Sequence, residues 1–144
     1  MPQKDTIHDA VRNALEKDGW TITADPLLIT YDDVNGFIDL GAERTLAAEK
    51  GGRRIAVEIK SFQRPSPVRD FEEALGQYTF YRDLIALANS NYALYLAVSD
   101  TAYRRVFQRK AFQAIAERNR IALIAVNLAR EEIVSWKEPP VIES

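Results

Sequence analysis

The run Ile55-Ala56-Val57-Glu58-Ile59-Lys60 sets a carboxylate two residues before an amine. Read as a strand, whose side chains alternate between faces, it puts Ile55, Val57 and Ile59 on one face and Ala56, Glu58 and Lys60 on the other. A buried apolar face would hold the segment rigid while the opposite face presents Glu58 and Lys60 as neighbours. In that setting a carboxylate can ligate a metal and the ammonium can orient or activate water. Hard divalent ions such as Mg²⁺ are usually held by one or two carboxylates plus water and phosphate oxygens, so a second acid is required. The candidate is Asp39, which interrupts the apolar stretch Phe37-Ile38-Asp39-Leu40-Gly41, where a carboxylate is costly unless paired or ligating.

Whether Asp39 reaches this site depends on a turn. From Phe37 to Phe62 the sequence reads as two strands of a hairpin around a polar loop containing Glu49-Lys50-Gly51-Gly52. A tight turn at Gly51-Gly52 would set Glu58 opposite Thr45 and Lys60 opposite Glu43, leaving Asp39 ~13 Å away, outside shared coordination. A wider loop over Ala47 to Gly52 pairs Asp39 with Lys60; a bulge near Gly41 is the other way to close the gap. The wider loop is the expectation. The competing arrangement is an ordinary cross-strand ion pair between Glu43 and Lys60, contributing about 0.2 to 1 kcal/mol, with Glu58 merely solvated.

The remaining elements must hold this hairpin. Ile7, Ala10, Val11, Ala14 and Leu15 recur at helical spacing over residues 4 to 18, and Gly19 is a stop. Two short strands follow, at Trp20 to Thr23 and Leu27 to Tyr31. Beyond Arg64-Pro65-Ser66-Pro67 the period becomes helical again through Phe71, Ala74, Leu75, Tyr78, Tyr81, Leu84, Ile85 and Ala88. Tyr92 to Val98 is apolar on both faces, as a central strand covered by helices must be. Asp100 is placed to cap a helix running to about Asn119. Ile121 to Val126 repeats the buried-strand pattern, Glu132 to Trp136 reads as an edge strand, and the tail after Pro139 as irregular. The order predicts an α/β fold with a mixed sheet between helices.

Composition narrows the chemistry. With 144 residues, 47% of them hydrophobic and 28% charged, the expectation is one folded domain over residues 1–144. The absence of cysteine removes thiolate metal sites, thiol nucleophiles and disulfides, so a metal must bind oxygen. No apolar run approaches membrane-spanning length, and a cytoplasmic protein with no membrane partner is expected. His8 is the sole histidine and has no companion nucleophile motif; it reads as a helix-surface imidazole, although Asp9 or Glu16 on that helix could lend the site an acid. From Tyr103 to Arg120, Arg104, Arg105, Arg109, Lys110, Arg118 and Arg120 face a single acid, Glu117: a solvated helix face or, if it borders the metal site, a phosphate-neutralising one. Tyr78, Phe80, Tyr81, Phe107 and Phe112 read as core rather than base-stacking platforms.

The chain also resembles a known family. Lys4-Asp5, His8-Asp9-Ala10-Val11, Asp18-Gly19-Trp20, Asp39-Leu40-Gly41-Ala42-Glu43-Arg44, Ala56-Val57-Glu58-Ile59-Lys60-Ser61-Phe62, Ala74-Leu75-Gly76-Gln77-Tyr78 and Leu94-Tyr95-Leu96-Ala97-Val98-Ser99-Asp100 together resemble the XisH family over nearly the whole length. The resemblance implies a controlling factor for excision of the fdxN element, which is not itself the recombinase and works beside a small partner protein, XisI. It further implies a PD-(D/E)XK nuclease-like, restriction-endonuclease-like αβββαβ core. Asp39 would then be the first acid, Glu58 the second and Lys60 the lysine. The Ile59 carbonyl would be a further ligand for Mg²⁺ or Mn²⁺, and Gln77, on the next helix, a polar group near metal or phosphate. The first motif position is Ile38 rather than proline, which weakens the motif.

Two functions follow: a metal-dependent DNA endonuclease, or a non-catalytic recombination accessory factor that binds DNA or a partner protein. Assembly as a homodimer is compatible with either. A blander third reading, a structural subunit of another protein, would be favoured by a partner covering the metal-site face.

Overall fold

A computed structural model describes residues 3–45 and 52–138. Helix α1 (Gln3–Lys17) is followed by strands β1 (Thr21–Ala24), β2 (Leu27–Tyr31), β3 (Val34–Ile38), β4 (Leu40–Arg44) and β5 (Arg53–Ile59), helix α2 (Pro67–Leu87) and strand β6 (Ala93–Ser99). A short α3 (Asp100–Ala102) runs into a π-helical turn (Tyr103–Phe107), and α4 (Lys110–Arg118), β7 (Leu123–Asn127) and β8 (Glu132–Lys137) complete the order.

Six strands form a mixed sheet in the order β1-β4-β5-β6-β7-β8, while β2 and β3 form a separate two-stranded sheet. Neighbours β1, β4 and β5 are antiparallel, β5, β6 and β7 parallel, and β8 antiparallel to β7 at the edge. Helix, three antiparallel strands (β1, β4, β5), helix, parallel strand is an order compatible with the αβββαβ core that the resemblance implies.

Each face of the sheet has its own apolar layer. On one, Ile7, Val11, Ala14 and Leu15 of α1 pack with Leu40, Ala42, Ile55, Val57, Tyr95, Ala97, Ile124 and Val126. On the other, Phe71, Ala74, Tyr78, Leu84 and Ile85 of α2 pack with Ala56, Leu94, Leu96 and Val98 and with Phe107, Phe112 and Ala116. The alternation read from β5 is therefore correct: Ile55, Val57 and the partly buried Ile59 meet the α1 layer, Ala56 the α2 layer. The buried Tyr78 hydroxyl ties α2 to the sheet, donating to the Leu94 carbonyl at 2.8 Å and accepting from the Ala122 amide at 3.1 Å.

Three expectations are corrected. The strand entering Asp39 is not half of the central hairpin: the chain bends at Asp39, β3 pairs with β2, and only β4 pairs with β5. The helix expected from Asp100 to Asn119 is broken at Gln108–Arg109 after its π-helical turn, and Ser99, not Asp100, caps its start by accepting the Ala102 amide at 3.0 Å. Phe80 is half exposed rather than core. Residues 46–51 and 139–144, which include most of the expected wide loop and the tail, lie outside the described residues.

Candidate metal centre

The register of β4 and β5 decides which groups meet. Leu40 pairs with Val57 and Arg44 with Arg53, so the next step of the same register sets Asp39 beside Glu58, not opposite Lys60 as the wide-loop expectation had it. The connection is longer still than supposed. Because β3 has left the sheet at this point, the Ile59 amide is taken by a side chain: Asp39 Oδ2 accepts it at 2.7 Å. Lys60 continues the parallel ladder, its amide donating to the Ala97 carbonyl at 3.0 Å. The Glu43–Lys60 ion pair does not form: Glu43 pairs in register with Arg54, and Lys60 Nζ lies 3.5 Å from Glu58 Oε2.

Glu58 is 5% exposed. Burial, and then the negative charge of Asp39, push its carboxyl up to about 7, with Lys60 pulling the other way. Its Oε1 is buried and, among the described residues, has no hydrogen-bond partner. Such an orphan is uncommon in a folded protein, since a buried acceptor without a donor forfeits its hydration. On α2, Gln77 Oε1 is a second buried oxygen without a partner among the described residues, and the hydroxyl of Tyr81, one turn further on, is pushed up by burial and by the charges of Glu58 and Asp39. The hairpin β2–β3 presses on this part of α2. A Cβ added to Gly36 would stand 2.6 Å from a Leu84 methyl and 3.4 Å from the Tyr81 ring, so a larger residue there would require the Leu84 side chain to shift.

Asp39, Ile59 and Lys60 line a cleft of about 580 Å³, with Glu58 set back from its wall. His8 also lines the cleft, and its Nε2 is 2.8 Å from Asp25 Oδ1; Arg12 Nη1 holds the other Asp25 oxygen at 2.5 Å. Asp9 Oδ1 is 3.4 Å from the imidazole. The cleft is also lined by Arg64, which binds Asp70 through its backbone amide and its Nε, and Glu73 through Nη2. Asp25 and this Arg64–Asp70–Glu73 cluster were missed in the sequence. The only local signal for the latter was two acids three residues apart in the first turns of a helix, behind a Pro-Ser-Pro boundary.

Among the described residues no group of three His, Asp or Glu side chains converges as a metal cage. The donors brought together are two carboxylates, Asp39 at the bend before β4 and Glu58 on β5, the latter with an oxygen unpartnered among the described residues, beside an amine. Hard cations keep several waters and need few protein oxygens, so this set fits Mg²⁺ or Mn²⁺ better than a softer metal.

The family model for the XisH protein matches residues 1–134. The chain belongs to the XisH family. Its XisH fold is similar to the crystal structure of an XisH family protein from Nostoc punctiforme PCC 73102, with a TM-score of 0.83 and 38% identity over 93% of this chain and 100% of that one. It is also similar to the structure of an fdxN element excision controlling factor protein from Anabaena variabilis, with a TM-score of 0.82 and 36% identity over 93% of this chain and 99% of that one. No curated protein matches the chain. Among the described residues of this XisH protein, no helix is long and apolar enough to cross a membrane.

Proposed function

We propose that this XisH protein acts on DNA during excision of a genetic element, as a metal-dependent phosphodiesterase of the PD-(D/E)XK type. The observation that carries this reading is the meeting of Asp39 and Glu58, with Lys60 Nζ 3.5 Å from Glu58 and a buried Glu58 oxygen left without a hydrogen bond. Asp39 and Glu58 would hold Mg²⁺ or Mn²⁺, with the Ile59 carbonyl and Gln77 as the further oxygens that the family resemblance suggests. Bound there, the ion supplies Lewis-acid stabilisation of charge developing on phosphate oxygens.

The chain's own residues do the rest. Asp39 is fixed by the Ile59 amide and so presents a preset oxygen. Glu58, held on a rigid central strand, keeps its position without a mobile loop. Lys60 places an ammonium where it can orient a water for attack and offset the negative charge of the phosphate. The apolar α2 layer behind Glu58 limits water, which strengthens each of these interactions.

The test is cleavage of duplex, single-stranded and branched DNA with Mg²⁺ and Mn²⁺, with and without an XisI-type partner, comparing wild type with Asp39→Ala, Glu58→Ala and Lys60→Ala. Loss of at least ~100-fold in each variant supports the reading, since removing one charge-stabilising group typically costs that much or more. One observation favours a second reading. The Anabaena relative is called a controlling factor, which fits an accessory protein that binds DNA or an XisI-like partner without cutting. Wild-type protein that cleaves nothing under any of these conditions, yet binds DNA or that partner without metal, would establish this alternative.

A further inference from the structure

Ser61, Phe62 and Gln63 line not only the first cleft but also a second, of about 530 Å³. The second cleft opens at the carboxyl ends of the parallel strands: beyond the Ser61–Gln63 segment after β5, its wall includes Ser99 at the end of β6 and Asn127 at the end of β7. In open α/β sheets this edge is where ligands bind.

The two clefts carry opposite charge. Asp39, Asp70 and Glu73 outnumber Lys60 and Arg64 on the first wall, whereas Arg104 and Arg105 face only Asp100 on the second. The arginines are not used up by their neighbours. Arg104 Nη1 bonds Asp100 at 2.5 Å with its side chain 60% exposed, and Arg105 donates through Nη2 to the Phe62 carbonyl. A guanidinium offers five donors, so each keeps others for an anion.

The saddle between the clefts is fixed. Phe62 adopts a left-handed backbone conformation (φ 54°) unusual for a non-glycine residue, with its ring buried 5.2 Å from that of Phe107 and its carbonyl held by Arg105. A groove with an acidic pair on one side of a rigid saddle and two guanidinium groups on the other suits a polymer of regularly spaced phosphates.

We infer that the second cleft is a phosphate subsite for the same DNA strand that enters the first, with Arg104 and Arg105 as its ligands. This rests on the DNA-binding part of the reading above and not on catalysis. Arg105→Ala would also release Phe62, so the deciding variants are two that leave the saddle alone. Arg104→Ala removes one cation. Asn127→Asp adds a carboxylate to the wall while keeping an Oδ1 acceptor for the Arg130 amide, now bonded at 2.9 Å.

Labelled single-stranded DNA is titrated by fluorescence anisotropy in EDTA and in Ca²⁺ across a salt series, and the same proteins are assayed for cleavage. Each variant should weaken binding about 3- to 10-fold, and Arg104→Ala should lower the salt slope by about 0.7, the value for one lost phosphate contact on a single strand. Variants that bind like wild type at every salt concentration overturn the subsite even if wild type cleaves DNA. Weakened variants in a protein that never cleaves support the subsite and count only against catalysis. Wild-type protein that binds no DNA in either condition overturns it as well.

Discussion

The two faces of strand β5 have opposite characters. Toward α1, Ile55 and Val57 are fully buried in a layer of apolar side chains that satisfies itself. Toward α2, the same strand carries Ala56 and then Glu58, whose buried oxygen has no partner and whose carboxyl is pushed up to about 7. One face supplies stability and the other is kept in electrostatic tension, and the first allows the second. A folded domain has only about 5 to 15 kcal/mol to spare, so an unsatisfied carboxylate is tolerable only where the opposite face is well packed.

That contrast can be broken most sharply from the apolar side. Ile55→Ala should cost about 2 to 5 kcal/mol in urea unfolding, the range for a large core side chain cut to alanine. From the polar side the sign reverses. Between pH 4.5 and about 7 Glu58 binds more protons folded than unfolded, so the stability of the metal-free protein should fall as pH rises through that window and level off above it. The full shift corresponds to about 3 kcal/mol. Glu58→Gln should flatten this dependence and leave the variant more stable than wild type above pH 7, measured by urea unfolding at a series of pH values in EDTA. A pH-independent wild type would remove the tension claimed for that face.

Tyr78→Phe sits between these extremes. It strips partners from the Leu94 carbonyl and the Ala122 amide at once, and a loss of about 1 to 3 kcal/mol in the same assay is expected. The smallest effect belongs to Arg104→Ala, whose guanidinium is largely exposed where it pairs with the partly buried Asp100; a change within about 1 kcal/mol is expected, so that a binding defect in this variant can be read as one.

What the sequence made legible follows from locality. The alternation of β5 and the neighbouring of Glu58 and Lys60 depend on a period of two within six residues, and both are present. The partnership of Asp39 with Glu58 depends on register, set by a connection whose length no local signal fixed, and the expected pairing was displaced by two residues. Neither Ile38 nor Leu40, the two residues flanking Asp39, is a glycine or proline to announce that the chain changes sheets there. The Arg64–Asp70–Glu73 cluster and the Asp25–His8 contact join residues across loops, where spacing is silent. The break at Gln108–Arg109 has no proline or glycine either, so the continuous helical pattern concealed it. Gln77 rests on the resemblance alone; what the fold adds is that its side-chain oxygen is buried with no partner among the described residues.

The bond from the Ile59 amide to Asp39 has a practical consequence. In a continuous ladder that proton would report only on backbone pairing; here it touches a carboxylate of the site directly. Its chemical shift and its exchange rate with deuterium will therefore respond to whatever that carboxylate holds, giving spectroscopists a native gauge of occupancy that needs no label, no substrate and no turnover.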